Sequence, residues 1–149
     1  MESIDERLAG RARLGKRRTL RIPGALPGEL VRIRVDRRGR GGRPDLTTIQ
    51  QIWEAHDERR VPFCSRHSAR AVDAGCTGCS LQHAGWSLQR AMKRDWLRRV
   101  GGIEVEEVEA GSREVGYRQV SKRVVGGTPG ALVLGSYIRG SHVVASMEG

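Results

Sequence analysis

Cys64, Cys76 and Cys79 are the only cysteines of this chain, and they stand in one short segment. An odd count fits a disulfide framework poorly. In a reducing compartment, clustered cysteines serve as ligands or catalytic groups. Cys76-Thr77-Gly78-Cys79 is a C-x-x-C pair whose glycine permits the tight turn that brings both thiolates onto one metal. Three thiolates leave one position of a tetrahedral ion open. His67, three residues after Cys64, completes a C-x2-H…C-x2-C pattern, so spacing alone offers a Cys3His zinc site. An iron–sulfur cluster would want a fourth cysteine, and the chain contains none. A thioredoxin-like redox pair needs a βαβ setting that nothing here supplies. Buried structural thiols without metal are a further alternative. His83 and His142 read as ordinary polar residues, and His56 carries no special signal.

A metal is also what a core of this size calls for. Only 38% of the 149 residues are hydrophobic and 4% aromatic, so any core is small and aliphatic. Modules of that size are marginal without a staple. The net charge is +10, and it is patterned. Thirteen Lys/Arg face two acids (Glu29, Asp36) between Arg7 and Arg43, while Glu104, Glu106, Glu107, Glu109 and Glu114 face Arg113 between Ile103 and Glu114. Such a balance speaks about partners and not about fold: polyanions first, anionic membrane second. No apolar run approaches a membrane span, and the N-terminus is polar rather than a signal peptide. The chain therefore reads as soluble and cytoplasmic, a monomer with no membrane partner.

The pattern predicts a mainly β chain with one helix, of α+β class. Thr19 to Ile22 is a short strand that runs into Pro23-Gly24-Ala25-Leu26-Pro27-Gly28, a turn cluster. Glu29 to Asp36 alternates, with Val31, Ile33 and Val35 on one face and Arg32 and Arg34 on the other. Arg37 to Pro44 is a basic loop. Leu46 to Trp53 makes another strand, with Leu46, Thr48 and Ile52 inward and Ile49 out of phase. Short strands with basic loops suggest a small OB-like barrel. Arg32, Arg34, Arg37, Arg38, Arg40 and Arg43 can neutralise phosphates there, although a solvated face has the same pattern.

Asp57 to Pro62 is a charged linker, which divides the chain into modules 1–57 and 58–149. The second holds the cysteine-rich loop, a helix and an incomplete antiparallel sheet. The helix runs from about Ser87, its N-cap, to Val100 before Gly101-Gly102. Leu88, Met92, Trp96 and Val100 form its apolar stripe and leave Gln89, Lys93, Arg94, Arg98 and Arg99 mostly outside. Ile103 to Val108 alternates like a strand. Val115 to Val125 and Ala131 to Tyr137 flank a turn at Gly126 to Gly130, and Ser141 to Met147 follows a second turn.

These pieces, taken in order, resemble a known family. Pro23-Gly24-Ala25-Leu26-Pro27-Gly28-Glu29 before a basic strand looks like the TRAM domain, a small RNA-binding β-barrel. Val61-Pro62-Phe63-Cys64, then Cys76-Thr77-Gly78-Cys79-Ser80-Leu81-Gln82-His83, then Gln89 and Lys93 on a helix, resemble the iron–sulfur RNA uracil-C5 methyltransferases. So do Gly116-Tyr117-Arg118 and Leu134-Gly135-Ser136-Tyr137 leading to Ser141-His142-Val143-Val144. The likeness covers the chain from about Leu20 onward.

The resemblance implies an N-terminal TRAM domain, a central β-rich domain bearing a [4Fe–4S] cluster, and a C-terminal Rossmann-like methyltransferase domain. Such proteins methylate C5 of uracil in ribosomal or transfer RNA with S-adenosylmethionine, through a cysteine nucleophile that adds to C6. Carried onto this sequence, the cluster ligands are Cys64, Cys76 and Cys79, with the fourth expected immediately after Gly149. RNA contacts are implied at Lys93, Tyr117 and Arg118 besides the six arginines, with 23S rRNA ahead of transfer RNA. Three departures accompany the likeness. The gap from Cys64 to Cys76 is longer, which suggests an inserted loop at 65–74. Gln119 follows Tyr117-Arg118 where many relatives have another polar residue. No glycine-rich strand-to-helix turn for S-adenosylmethionine and no spare nucleophilic cysteine are present, so this chain alone is expected to be inactive and to hold its cluster poorly.

Overall fold

Two Pro-Gly pairs set the first bend of the chain. In the computed structural model Gly24 and Gly28 take φ of 82° and 83°. That is the left-handed value a type II turn demands after a proline. Ala25 N–H donates to the Ile22 carbonyl at 3.2 Å and Glu29 N–H to the Leu26 carbonyl at 3.3 Å, closing two turns in succession. The structure describes residues 3–16, 18–65, 67, 78–111, 113, 116–117, 120, 122–138 and 142–146.

These turns separate β3 (Arg18–Ile22) from β4 (Leu30–Arg37). Before them, β1 (Ser3–Ile4) and β2 (Gly10–Leu14) lead antiparallel into β3. β5 (Asp45–Glu54) slots between β3 and β4, parallel to the first and antiparallel to the second. The five-stranded order is β1-β2-β3-β5-β4. Mainly β with one helix is the architecture found; the sheet is open, with β1 and β4 as its edges. Leu20, Ile22 and Ala25 form its buried centre, packed by Ala12, Val31, Ile33 and Ile49.

Simple alternation misplaces part of β5. Thr47 is buried and Ile49 packs on the core, whereas Leu46 and Thr48 are only half-buried. The ladder shows why: Arg32 pairs with Gln51 but Ile33 pairs with Ile49, so Gln50 is an extra residue. A β-bulge of this kind switches the inward phase once along the strand. Ile49 and Ile52, three apart, thereby both face β4's inward residues Ile33 and Val31.

Helix α1 (Trp86–Trp96) starts from Gly85 and not from Ser87. Glu58, distant in sequence, supplies the missing acceptor: it takes the Ser87 hydroxyl and, at 3.1 Å, the Leu88 N–H. These contacts hold the Glu58 carboxyl below its ordinary range, Ser87 contributing most and Leu88 next. Met92 is buried, and so is Gln89, whose amide donates to the Ala84 carbonyl at 3.0 Å. Gln89 is thus inside, contrary to the stripe, because a buried carbonyl there needs a donor. Val100 is exposed. The final turn, Leu97–Gly101, is π-helical, and its wider winding rotates residue 100 off the i+4 stripe. Trp96 Nε1 donates to the Glu6 carbonyl (3.1 Å) and Arg99 to that of Ile4 (2.8 Å), which ties the helix end to the β1 region.

Ile103 to Val108 is not a strand. It runs along α1, where Arg94 donates to the Glu106 carbonyl at 3.1 Å and Arg90 pairs with Glu107 at 3.3 Å. One ion pair and one hydrogen bond to the backbone join the segment to the helix, in place of the strand pairing that the alternation suggests. The chain divides into two compact units, Met1–Arg60 with His83–Val108, and Val61–Gln82 with Glu109–Gly149. α1 therefore belongs with the five-stranded sheet. The second unit contains an antiparallel meander of β6 (Val124–Thr128), β7 (Ala131–Tyr137) and β8 (Val144–Ser146). Gly126 and Gly127 lie within β6, so the turn shrinks to Pro129-Gly130. Among the described residues no helix is long and apolar enough to cross a membrane.

Candidate nucleic-acid interface and cysteine segment

The arginines of β4 and its loop are exposed: Arg32 and Arg34, as alternation predicts, and Arg37, Arg38, Arg40 and Arg43 as well. They are not equivalent. Arg34 pairs with Asp36 at 2.8 Å, and Asp36 also accepts the Thr48 hydroxyl at 2.6 Å. Thr48 first, then Arg34, hold the Asp36 carboxyl below its ordinary range against slight burial. Arg38 lies in the field of Asp45. Arg32, Arg37, Arg40 and Arg43 make no ion pair among the described residues.

The basic loop is anchored at its base. Asp45, buried at the start of β5, accepts the Gly39 N–H at 2.7 Å and pairs with Arg18. The Gly39 amide first, and Arg18 next, keep the Asp45 carboxyl below its ordinary range. Gly39 sits so close to the returning chain that a Cβ there would strike the Arg43 carbonyl and approach Pro44 C to 2.8 Å. We expect Gly39→Ala to destabilise the protein by about 1–3 kcal/mol, the usual range for over-packing. Urea denaturation checks this, and an unchanged midpoint would show that the loop's closure is unimportant.

A second anchor lies under the turn cluster. The Glu29 side chain is fully buried. It accepts the Leu26 N–H (2.8 Å) and the His56 N–H (3.3 Å), and it pairs with Arg59, which also donates to the Gly24 carbonyl at 2.6 Å. Burial alone would push the Glu29 carboxyl up; Arg59 and the Leu26 and His56 amides outweigh it and hold the group below its ordinary 4.5.

In the cysteine segment, Cys64 is half-buried and Cys79 exposed. The Cys64 N–H donates to Gln82 Oε1 at 3.1 Å, and the His67 N–H to the Cys64 carbonyl at 3.1 Å. His67, 3% exposed, reaches the Cys79 carbonyl through Nε2 at 2.7 Å. The Cys64 and Cys79 turns are thus fastened to each other by a histidine ring and a glutamine. Cys76 and Arg118 lie outside the described residues. Among the described residues no three His, Cys, Asp or Glu side chains converge on a metal position.

The remaining expected contacts are separate. The Lys93 ammonium sits over the Trp86 ring, 5.9 Å from its centroid, and is half-buried. Tyr117, in the second unit, is 64% exposed. Composition and spacing did not reveal the Glu29–Arg59 pair, whose partners stand 30 positions apart.

No family model matches the chain. Individual proteins do. The 23S rRNA (uracil(1939)-C(5))-methyltransferase RlmD of Marinomonas posidonica is 33% identical over 154 aligned positions, covering 99% of this chain and 32% of that protein. An RNA methyltransferase of Listeria innocua is 32% identical across 85% of the chain and 28% of its own length. The RlmD of Aeromonas hydrophila is 31% identical across 84% of the chain and 28% of its length. All three of these relatives are named as RNA methyltransferases. More narrowly, the chain belongs to the RNA uracil-C5 methyltransferase family, and it spans about a third of the length of the curated relatives it matches.

Proposed function

We propose that this chain is the RNA-gripping, cluster-carrying portion of an S-adenosylmethionine-dependent RNA uracil-C5 methyltransferase that acts on 23S rRNA in the cytoplasm. The observation that carries the reading is the set Arg32, Arg37, Arg40 and Arg43, exposed and without ion pairs among the described residues, on a strand and loop held in shape by Asp45. Such a patch binds phosphates with little regard to sequence. A uracil must be turned out of its stack before its C5 can be modified, which requires the RNA to be held on either side of it. Methyl transfer itself we assign to the part of the family's length that this chain does not span.

Cys64, Cys76 and Cys79 would hold a [4Fe–4S] cluster, with a fourth ligand from outside this set. When bound, the cluster supplies a rigid cross-link for a loop-rich segment with little core of its own. His67 and Gln82 fasten the Cys64 and Cys79 turns by their hydrogen bonds. That support is geometric and concerns ligand placement.

Anaerobic purification, followed by incubation with iron and sulfide, tests the cluster. A brown protein containing both elements supports it. A colourless protein with one zinc would replace it by a free-standing RNA-binding module using Cys64, His67, Cys76 and Cys79. For the grip, affinity for a 23S rRNA fragment is expected to fall steeply between low and physiological salt. A flat salt response would sink it.

A further inference from the structure

The outer face of β4 and β5 carries one feature that charge does not explain. Trp53 is 54% exposed near the end of β5. The chain has three tryptophans, and the other two are half-buried and engaged: Trp86 under Lys93, and Trp96 through its indole N–H to the Glu6 carbonyl. Trp53 has no such contact among the described residues.

Its position follows from a second irregularity in the ladder. Leu30 pairs with Glu54 and Val31 with Ile52, so Trp53 is the extra residue of a bulge. A bulge re-aims the side chain it carries. Ile52 faces inward opposite Val31, which turns Trp53 outward. Arg32 pairs with Gln51, two residues before Trp53, and therefore shares its face. Diagonal neighbours across a strand pair lie within reach of an aromatic side chain. Leu30, also exposed, is the other neighbour on this face. A large ring is thus presented to solvent beside an arginine that makes no ion pair among the described residues, on the strand that leads into the basic loop.

Burying such a ring against a protein would require apolar area. Leu30 is the one apolar neighbour on this face, and Arg32 and Gln51 supply the rest, which suits an anion that has flat rings of its own. We propose that Trp53 is a stacking platform for an unpaired RNA base, with Arg32 holding the adjoining phosphate. This rests on the RNA-grip reading above and adds to it a preference for single strands. Every base offers a π face, so the stack tolerates sequence while rejecting a paired duplex.

Tryptophan emission of the full chain, titrated with a 12-nucleotide single-stranded oligouridylate and with a 12-base-pair RNA duplex, tests the proposal. The single strand is expected to quench emission and to bind more tightly than the duplex. Trp53→Ala should abolish the quench and weaken single-strand binding about 5- to 150-fold, leaving the salt slope unchanged. Trp53→Phe should lose the quench and keep most of the affinity, with both variants melting as the parent does. Salt-sensitive binding with an unaltered affinity in Trp53→Ala overturns the platform and spares the grip. Equal affinity for duplex and single strand also overturns it. No binding by the parent chain overturns the grip, and the platform with it.

Discussion

Glu29→Ala is expected to lower the unfolding free energy by about 3–5 kcal/mol, the cost of leaving one member of a buried ion pair without its partner. The Arg59 guanidinium, largely buried, would retain only the Gly24 carbonyl among its acceptors in the described residues, and the Leu26 and His56 amides would lose theirs. That loss would be a large share of the total stability of a domain this small. Urea denaturation followed by circular dichroism measures it, and a shift below about 1 kcal/mol, the value of an exposed pair, would refute the anchoring role. The sign of the pH dependence is set by the lowered carboxyl. A group whose folded pKa lies below its unfolded one stabilises at pH values above the unfolded pKa and loses that contribution as pH falls through the folded one. The parent should therefore weaken on acidification below about 4.5. The gap between the parent and Glu29→Gln should close over the same range.

The second large effect concerns salt. Replacing Arg32, Arg37, Arg40 and Arg43 together by serine removes four phosphate-neutralising charges. For single-stranded RNA the slope of log affinity against log salt should flatten by about 3, so the parent loses about 50-fold more affinity than the variant between 50 and 200 mM salt. Arg34→Ser alone should change the slope little, because Asp36 already balances that guanidinium at 2.8 Å. The contrast between Arg34 and the other four is the informative part. If all arginines contributed equally, exposure alone would decide, and the ion pairs in the structure would carry no weight. Fluorescence anisotropy with a labelled 23S rRNA fragment reads both.

The arginine face of β4 was legible in the sequence because a strand has a period of two and Val31 and Ile33 are the apolar partners of Arg32 and Arg34. The Pro23 to Gly28 turns were legible because proline and glycine each restrict or release one dihedral. These are local rules, and local rules survive folding. The phase of β5 was not legible. Its two bulges at Gln50 and Trp53 arise from pairing with β4, and no residue within β5 announces them.

The helix shows the same division. Its existence follows from spacing, yet its start depends on Glu58, and its buried amide Gln89 depends on the Ala84 carbonyl. The segment after it alternates like a strand but lies along α1, since Arg90 and Arg94 meet Glu107 and the Glu106 backbone there. His67 offered a fourth zinc ligand on spacing; the fold directs its Nε2 to the Cys79 carbonyl.

Composition, periodicity and motif order by themselves determined that this is a basic, mainly β chain with clustered cysteines and one helix, because these features are written residue by residue. Which arginines remain uncompensated, which carboxylates are buried beneath the loops and where Trp53 faces were decided only by the tertiary structure. Ion pairs and strand register join residues far apart in the chain, and the free energy that selects them exists only once those residues meet.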